Sequence, residues 1–306
     1  MKIYSIIITY NPNLSELKKC IQSLCKQVDF TLVMDNSENY DKESLIKLTT
    51  TFANVRYYSM NGNVGIAEAT NEGLRIAQSE KADWVITSDQ DSIFPDNYVI
   101  TFKDELQKIT IDRNKIAAFC PIFYDRNSEQ YAKFCFRENN RIFYKVPEES
   151  QSILYQTIAS GLLINIKLLD NIGLMASELF IDLVDHEWCW RANSRGFFII
   201  GCKNLVISHS LGEASIKLGK YKLGIRNPIR LYYYERNYIY LSKYCNYLTK
   251  QEKMRLKKKA IKYLLVFPLI THPHIKSLDF MLRGLHDGLT KKMGKINCKI
   301  KAEPIK

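Results

Sequence analysis

The stretch Val85-Ile86-Thr87-Ser88-Asp89-Gln90-Asp91-Ser92 runs from apolar residues into two carboxylates that are one residue apart. The apolar part predicts a buried strand ending near Ser88, which places Asp89 and Asp91 at its C-terminal tip. Ligands of open α/β sheets bind outside this edge. Two carboxylates there suit Mg²⁺ or Mn²⁺, which would neutralise a diphosphate. An isolated Asp-x-Asp also fits a solvated turn, so the rest of the chain has to decide between the two interpretations.

The sequence around this stretch alternates between strand and helix patterns. Short apolar runs predict four strands, at residues 3–9, 30–34, 55–58 and 84–87. Apolar residues at helical spacing predict helices between them, at residues 14–28, 41–51 and 66–77. This order predicts an α/β fold with a mostly parallel sheet and helices on both faces.

The elements after Asp91 are predicted from the same patterns. They are a helix over 96–109, a strand over 116–120, a hairpin over 134–145 with Asn139-Asn140 in the middle, a buried strand over 158–164, a helix from about Asp185 to Gly196, and a strand over 205–209. The small residues Ser160 and Gly161 would allow a ligand or a backbone segment to approach closely.

Polar side chains follow three of the predicted strands, as Thr9-Tyr10-Asn11, Asp35-Asn36 and Asp89-Gln90-Asp91. The carboxyl ends of parallel strands share one edge of the sheet. Asp35 there either accepts a hydrogen bond from a nucleotide base or serves as a turn residue. No Gly-x-Gly-x-x-Gly or Walker A loop is present, which disfavours a dinucleotide site and a P-loop.

A second chemical stretch, residues 179–192, crowds Asp182, Asp185, His186 and Glu187 between bulky apolar residues. Acidic residues at a helix start either complement the helix dipole or serve as catalytic bases. Asp185 at the helix start is best placed to face a cleft. Glu187 lies about 200° further round the helix, and it can pair with Arg191 at i+4.

Composition is typical of a globular protein of one large domain, or of a catalytic domain with an appendage: 306 residues, 46% hydrophobic and 25% charged. Eight cysteines without a Cys-x-x-Cys pair predict reduced, mostly buried thiols in a cytosolic protein. The apolar N-terminus is too short for a signal peptide, and no run approaches the roughly 20 apolar residues of a membrane-spanning helix.

Charge divides the chain into two parts. Residues 217–306 carry 22 Lys and Arg against 5 Asp and Glu, whereas residues 1–216 carry 22 against 27. We therefore predict a catalytic domain over 1–216 and a basic, aromatic-rich helical region over 217–306. Such a region fits an interfacial helix on an anionic membrane, nucleic acid or another polyanion, or a solubilising layer that caps the domain.

The motifs together resemble the inverting glycosyltransferases of family 2, which have the GT-A fold, and more narrowly their rhamnosyltransferase-like branch, which builds bacterial surface polysaccharides. The resemblance covers nearly the whole chain and departs at His286. It is carried by Ile8-Thr9-Tyr10-Asn11, Asp35-Asn36-Ser37, Asn63-Val64-Gly65-Ile66-Ala67, Asn71-Glu72-Gly73, Ser88-Asp89-Gln90-Asp91-Ser92, residues 180–192, Ile207-Ser208-His209, Tyr233-Tyr234-Glu235-Arg236-Asn237 and Arg283-Gly284-Leu285-His286-Asp287-Gly288-Leu289.

This resemblance implies roles for individual residues. The nucleotide-sugar would be bound by Thr9, Tyr10, Asn11, Asp35, Asn63, Gly65, Asn71, Asp89 and Gln90. The divalent cation, Mg²⁺ or Mn²⁺, would be bound by Asp89, Asp91 and His209. Asp185 would be the catalytic base, with Trp188 and Arg191 near the acceptor. A lone histidine such as His209 is otherwise more often structural.

The resulting hypothesis is a peripheral enzyme at the cytoplasmic face of the cell membrane. It would transfer a sugar, foremost L-rhamnose from dTDP-L-rhamnose, to a lipid-linked or growing glycan without any nucleic-acid partner. The alternatives are a UDP-hexose donor, a nucleotidyltransferase and a nucleic-acid-binding protein. The sequence leaves the acceptor, the linkage and the oligomeric state open.

Overall fold

The structure is a computed structural model of the chain, and it describes residues 1–125, 129–139, 141–209, 215–218, 221–224 and 227–297. For His209 and for residues 215–218 and 221–224 this description covers the backbone alone. The predicted turn residue Asn140, the cysteine Cys298 and parts of the basic region, including residues 298–306, lie outside the described residues.

The first part of the chain alternates strands and helices as predicted. The elements are β1 (Ile3–Thr9), α1 (Leu14–Cys25), β2 (Phe30–Asp35), α2 (Lys42–Thr49), β3 (Val55–Ser59), α3 (Ile66–Ser79), β4 (Trp84–Asp89), α4 (Tyr98–Gln107) and β5 (Ile116–Asp125). Asn13 caps α1, because its Oδ1 accepts hydrogen bonds from the backbone N–H groups of Ser15 and Glu16.

The second part adds hairpins and a helical C-terminal region. Its elements are β6 (Gln130–Tyr131), β7 (Phe134–Glu138), β8 (Arg141–Lys145), β9 (Gln151–Leu154), β10 (Leu163–Asn165), α5 (Leu169–Ile172), α6 (Val184–Ser194), β11 (Phe198–His209), β12 (Ser215–Leu218), β13 (Tyr221–Gly224), α7 (Pro228–Tyr244), α8 (Lys250–Ile270) and α9 (His274–Thr290). The predicted 134–145 hairpin is confirmed as β7–β8, with Phe136 opposite Phe143.

One sheet organises the molecule. Its strand order is β3-β2-β1-β4-β10-β5-β11-β9, and β6 pairs with the end of β5. β1 to β4 run parallel and so do β5 and β11, whereas β10 runs antiparallel between β4 and β5. The predicted mostly parallel α/β fold is therefore confirmed.

The two faces of the sheet are covered by different helices, as alternate side chains of a strand require. Ile6 of β1 lies in one core cluster with Leu74 of α3. The neighbouring Ile7 lies in the opposite cluster with Leu17 of α1. Gly73 of α3 permits this packing, because a β-carbon there would lie 2.7 Å from Ile6 Cδ1.

The predicted strand over 158–164 is wrong in its first half. Only Leu163–Asn165 form a strand, and the residues before them turn past Thr87 of β4. The Gly161 N–H donates to the Thr87 carbonyl at 2.7 Å, and Gly161 has φ +74°. A β-carbon on Gly161 would lie 2.3 Å from Ile207, so a glycine is needed both for the backbone conformation and for the close approach.

The C-terminal helices form a packed layer. α9 approaches α7 through Gly284 and Gly288, where a β-carbon would lie 2.4 Å from the Tyr232 carbonyl oxygen and 2.6 Å from that of Arg236. The side chain of His286, at which the sequence departs from the family pattern, is 73% exposed. Within the described residues, no helix combines the length and the apolar character needed to span a bilayer.

Candidate functional site

The ends of β1 and β2 lie side by side, because Thr9 is in register with Asp35. The Thr9 hydroxyl donates to Asp35 Oδ1 at 3.3 Å, and the Asn11 N–H donates to Ser37 Oγ at 2.8 Å. Asn11 has φ +45°, which asparagine tolerates better than most residues. The structure thus brings three of the predicted nucleotide-binding residues together at one edge of the sheet.

Asp35 is 1% exposed and fixed by protein donors. Besides Thr9, the Ser37 N–H donates to Oδ1 at 3.1 Å and the Tyr57 hydroxyl donates to Oδ2 at 2.8 Å. Burial, followed by the hydrogen bond to Asp35, raises the pKa of Tyr57 to about 12. A carboxylate offers about four acceptor positions. Asp35 therefore serves as a turn residue, and its contact with a base N–H stays a prediction, because the carboxylate is buried among these protein donors.

The turn before α3 is tied to the end of β2 by two asparagines. Asn63 Oδ1 accepts hydrogen bonds from Asn36 Nδ2 at 3.1 Å and from the Gly65 N–H at 3.0 Å. Asn36 Oδ1 accepts from the Val64 N–H at 2.7 Å. Gly65 has φ +89°, and a β-carbon there would lie 2.5 Å from Phe180 Cδ2. Asn63 and Gly65 therefore shape the edge of the predicted pocket.

Asp89 and Asp91 lie where the sequence predicts them. Asp89 ends β4 and is in register with Ile8 of β1, and both aspartates are exposed. Gln90 between them accepts a hydrogen bond from the Tyr10 N–H at 2.8 Å, which joins this loop to the end of β1. The two exposed carboxylates are hard oxygen donors and fit Mg²⁺ or Mn²⁺.

A complete metal centre is not assembled by the side chains that the structure describes. Among them, no group of three His, Cys, Asp or Glu residues is placed to hold a metal ion. His209 ends β11, with its backbone in register with Asp125 of the parallel strand β5. Strand direction puts it at the same edge as Asp89. Its side chain lies outside the described residues, so its role as a ligand stays a prediction.

The segment before α6 has an unusual backbone. Phe180, Asp182 and Leu183 all have φ near +65°, a conformation that costs non-glycine residues on the order of 1–3 kcal/mol each. Phe180 stacks on Tyr233 of α7 with 4.9 Å between ring centroids. Such a segment persists only where its surroundings hold it in place.

α7 supplies the groups that hold it. Asn237 Nδ2 donates to the carbonyl oxygens of Leu179, Ile181 and Asp182 at 2.8–3.0 Å. Arg236 donates to the Leu179 carbonyl at 2.8 Å, and both side chains are fully buried. Satisfied buried carbonyls stabilise the segment, since each unpaired one would cost about 1–3 kcal/mol.

Asp185 is the second residue of α6 and is half-buried. Its Oδ2 accepts a hydrogen bond from the Ala159 N–H at 3.2 Å, and its Oδ1 accepts from the His186 N–H at 2.8 Å. The Ala159 carbonyl accepts from the Thr87 hydroxyl. The turn after Ala159 therefore links the predicted base to β4, the strand that ends in Asp89.

Trp188 and Arg191 do not face a cleft. Trp188 is fully buried and donates to the Gly173 carbonyl at 2.9 Å. Arg191 forms the predicted ion pair with Glu187 at 2.8 Å and donates to the carbonyls of Ile172 and Leu174. Burial would lower the pKa of Arg191, but Glu187 raises it. Their positions do not support the expected contact with an acceptor; they brace α6 against the preceding loop.

Asn71 is also directed inward. It is 1% exposed, and its amide binds the backbone of Met175 in both directions, at 2.9 Å and 2.8 Å. It fastens α3 to the loop that leads to α6, and its position does not support contact with a nucleotide.

Two supporting residues have no role predicted from the sequence. Tyr57 donates to Asp35 from the neighbouring strand, a contact that no local sequence pattern indicates. Asn237 belongs to a motif that carries the family resemblance, and its position beside Arg236 between aromatic residues on one helix is the signal that it needs specific partners, since buried polar groups do.

Comparisons with known proteins identify relatives of the chain. The model of one protein family, described as glycosyl transferase family 2, matches residues 5–158. A protein described as dTDP-rhamnosyl transferase RfbF, from Shigella flexneri, is 30% identical over 239 residues, which are 77% of this chain and 78% of that protein.

Solved structures share the fold at low identity. S. aureus TarS 1-349 in complex with UDP-GlcNAc has a TM-score of 0.57 and 16% identity, over 95% of this chain and 81% of that one. GalNAc-T7 with UDP, GalNAc and Mn²⁺ has a TM-score of 0.57 and 14% identity, over 86% of this chain but only 55% of that one. These likenesses support the expected GT-A architecture.

Asn237→Ala removes the amide that binds the carbonyls of Leu179, Ile181 and Asp182, of which Leu179 keeps the bond from Arg236. We expect a lower Tm, because a carbonyl that loses its donor in a buried setting costs about 1–3 kcal/mol, and a lower kcat at temperatures where the variant is folded. The measurements are a thermal melt and initial rates at saturating donor. Asn246→Ala, at an exposed asparagine in the loop after α7, is the matched control. An Asn237→Ala protein with the Tm and kcat of this control would contradict the stabilising role.

Proposed function

The chain belongs to glycosyl transferase family 2 and is a glycosyltransferase, and from that premise we propose that it transfers L-rhamnose from dTDP-L-rhamnose to a hydroxyl group of a lipid-linked or growing surface glycan, with inversion at the anomeric carbon. The choice of dTDP-L-rhamnose as the donor is supported by the 30% identity to a dTDP-rhamnosyl transferase over most of both chains. Family membership leaves no support for the nucleotidyltransferase and nucleic-acid-binding alternatives.

Donor recognition in this proposal rests on the edge of the sheet. Asp35 accepts a base N–H, while Thr9, Tyr10, Asn11, Asn63, Gly65 and Gln90 line the nucleotide pocket. Uracil and thymine present the same N–H, so a UDP-hexose remains the alternative donor.

The reaction needs one base and one stabilised leaving group. Asp185 takes the proton from the acceptor hydroxyl while the oxygen of that hydroxyl forms a bond to the anomeric carbon. The bond between that carbon and the diphosphate breaks in the same displacement, and dTDP leaves. Asp89, Asp91 and His209 would hold Mg²⁺ or Mn²⁺, which when bound supplies positive charge for the diphosphate.

We further propose that residues 217–306 hold the enzyme at the inner face of the cell membrane, next to the catalytic part formed by residues 1–216. Tyr263 and Phe267, the aromatic residues of the predicted interfacial stretch, pack inward. The exposed side of α8 instead carries Ile261, Leu265 and Leu269, which are 57–75% exposed. Exposed lysines 257, 258 and 262 lie beside them, a combination that suits an anionic bilayer.

A donor-hydrolysis screen of the purified protein tests the proposed function. We expect dTDP-L-rhamnose to be hydrolysed faster than UDP-hexoses, and a chelator to abolish the reaction until Mn²⁺ is restored. Asp91→Ala should remove nearly all turnover, because the strand-tip carboxylate would bind the cation. Asp96→Ala, at an exposed aspartate shortly downstream, serves as the control. Faster hydrolysis of a UDP-hexose would show that dTDP-L-rhamnose is not the preferred donor. Metal-dependent turnover in Asp91→Ala would refute the role of Asp91 as a ligand of the cation.

Asp185→Asn should preserve the fold and donor binding while lowering kcat by at least about 100-fold, the usual scale for losing a general base. Glu187→Gln should cost less in kcat and more in Tm, because Glu187 is buried against Arg191. Rates at saturating donor and thermal melts of both variants decide the assignment. An inactive Glu187→Gln beside an active Asp185→Asn would show that the base is misassigned.

Membrane binding should depend on both charge and apolar contact. Sedimentation with vesicles containing phosphatidylglycerol should exceed that with phosphatidylcholine alone and should fall as salt rises. Replacing Lys257, Lys258 and Lys262 with Gln should weaken binding up to about 100-fold, at about 1 kcal/mol per lysine. Leu265→Glu should also release the protein, whereas Ile100→Glu, at a similarly exposed residue of α4, should not. Equal binding to both vesicle types, insensitive to salt, would refute the proposal.

A further inference from the structure

A cavity of about 200 Å³ lies between α6, the β7–β8 hairpin and the helices α7 and α8. His186, the residue that follows Asp185 on α6, is part of its wall. Its wall also includes Ile142, Tyr144, Tyr155, Gln156, Trp190, Glu252 and Arg255. None of these residues has a role in the donor site described above.

Aromatic rings form much of the cavity wall. The Trp190 and Tyr155 rings are stacked with 6.1 Å between their centroids, and His186 lies 6.1 Å from Trp190. Tyr144 is 55% exposed at the rim. Aromatic side chains combine a broad apolar face with a polar tip, which matches the alternating C–H faces and hydroxyl groups of a sugar ring.

Polar groups in the cavity are held in fixed orientations. Gln156 Oε1 accepts the Trp190 indole N–H at 2.9 Å, which orients the amide. Glu252 accepts the Tyr155 hydroxyl at 2.8 Å and pairs with Arg137 at 2.5 Å. A mainly apolar wall with a few oriented polar groups is the usual composition of a small-molecule site.

Two residues of the cavity wall, His186 and Gln156, are close in sequence to groups of the predicted base site, and two others also line a second, open depression. Gln156 lies three residues before Ala159, whose N–H donates to Asp185. On the far side, Ile142 and Arg255 also line a broader depression of about 920 Å³ that runs along the β7–β8 hairpin past Arg141. A chain-like ligand could therefore place one ring near Asp185 and extend along the hairpin.

We propose that this cavity is the acceptor subsite, and that it binds one ring of the acceptor saccharide so that a hydroxyl reaches Asp185. The inference rests on the proposed function, since it names the binding site for the second substrate of that reaction. The size favours a single ring, because the cavity is smaller than the roughly 300–1,000 Å³ typical of drug-sized sites. It also assigns acceptor binding to residues other than Trp188 and Arg191, which brace α6.

The test is a fluorescence titration of the full chain with methyl glycosides of D-glucose, D-galactose, L-rhamnose and N-acetyl-D-glucosamine. Trp190 is the tryptophan in the cavity wall, so Trp190→Phe should remove the signal change that a bound glycoside causes. We expect at least one glycoside to bind, and Tyr144→Ala and Gln156→Ala to weaken its binding at least about tenfold. Tyr131→Ala, at an exposed tyrosine of β6, is the matched control and should bind as the wild type does.

Two outcomes would overturn the subsite: no glycoside of the panel binds, or both cavity variants bind like Tyr131→Ala. Failure of the proposed function has a different signature, because the wild-type protein would then not hydrolyse dTDP-L-rhamnose in the absence of any glycoside. Transfer of rhamnose to the bound glycoside, detected by mass spectrometry and lost with its binding in Tyr144→Ala, would support both proposals together.

Discussion

The buried amide of Asn237 and the guanidinium of Arg236 hold the rest of the site in position. They bind the backbone carbonyls of Glu178, Leu179, Ile181 and Asp182. Three non-glycine residues of this segment and its end, Phe180, Asp182 and Leu183, adopt positive φ values within four positions. Helix α6 begins directly after this strained segment, so the segment fixes the position of Asp185. It also presses Phe180 against Gly65. The C-terminal helices therefore contribute to the geometry of both the predicted base and the nucleotide edge.

The two halves of the site are built by different means. The donor edge follows from strand register, because β1, β2 and β4 run parallel and end together, and short hydrogen bonds between their loops complete it. The region around Asp185 follows from packing among α6, the 159–162 turn and α7. The register of parallel strands fixes the positions of the polar residues at their ends. The position of a helix start depends instead on the elements packed around it.

The helical layer after residue 227 has inner and outer sides of different character. The inner side of α8 buries Phe267 and packs Tyr263 against the tyrosines of α7, which makes it part of a capping layer. Its outer side exposes aliphatic residues and lysines. A helix with different inner and outer faces can cap a domain and still present a surface to a bilayer.

The sequence by itself determined the order of strands and helices, the parallel sheet and the polar strand tips, because these depend on periodicity over a few residues. It also indicated the Glu187–Arg191 pair, which is local to one helix. Only the tertiary structure decided that Asn71, Trp188 and Arg191 face inward, that residues 159–162 form a turn, and that Tyr57 and Asn237 support the site. Asn71 and Met175 are 104 residues apart, and the direction of a side chain is fixed by such distant partners rather than by its neighbours in sequence.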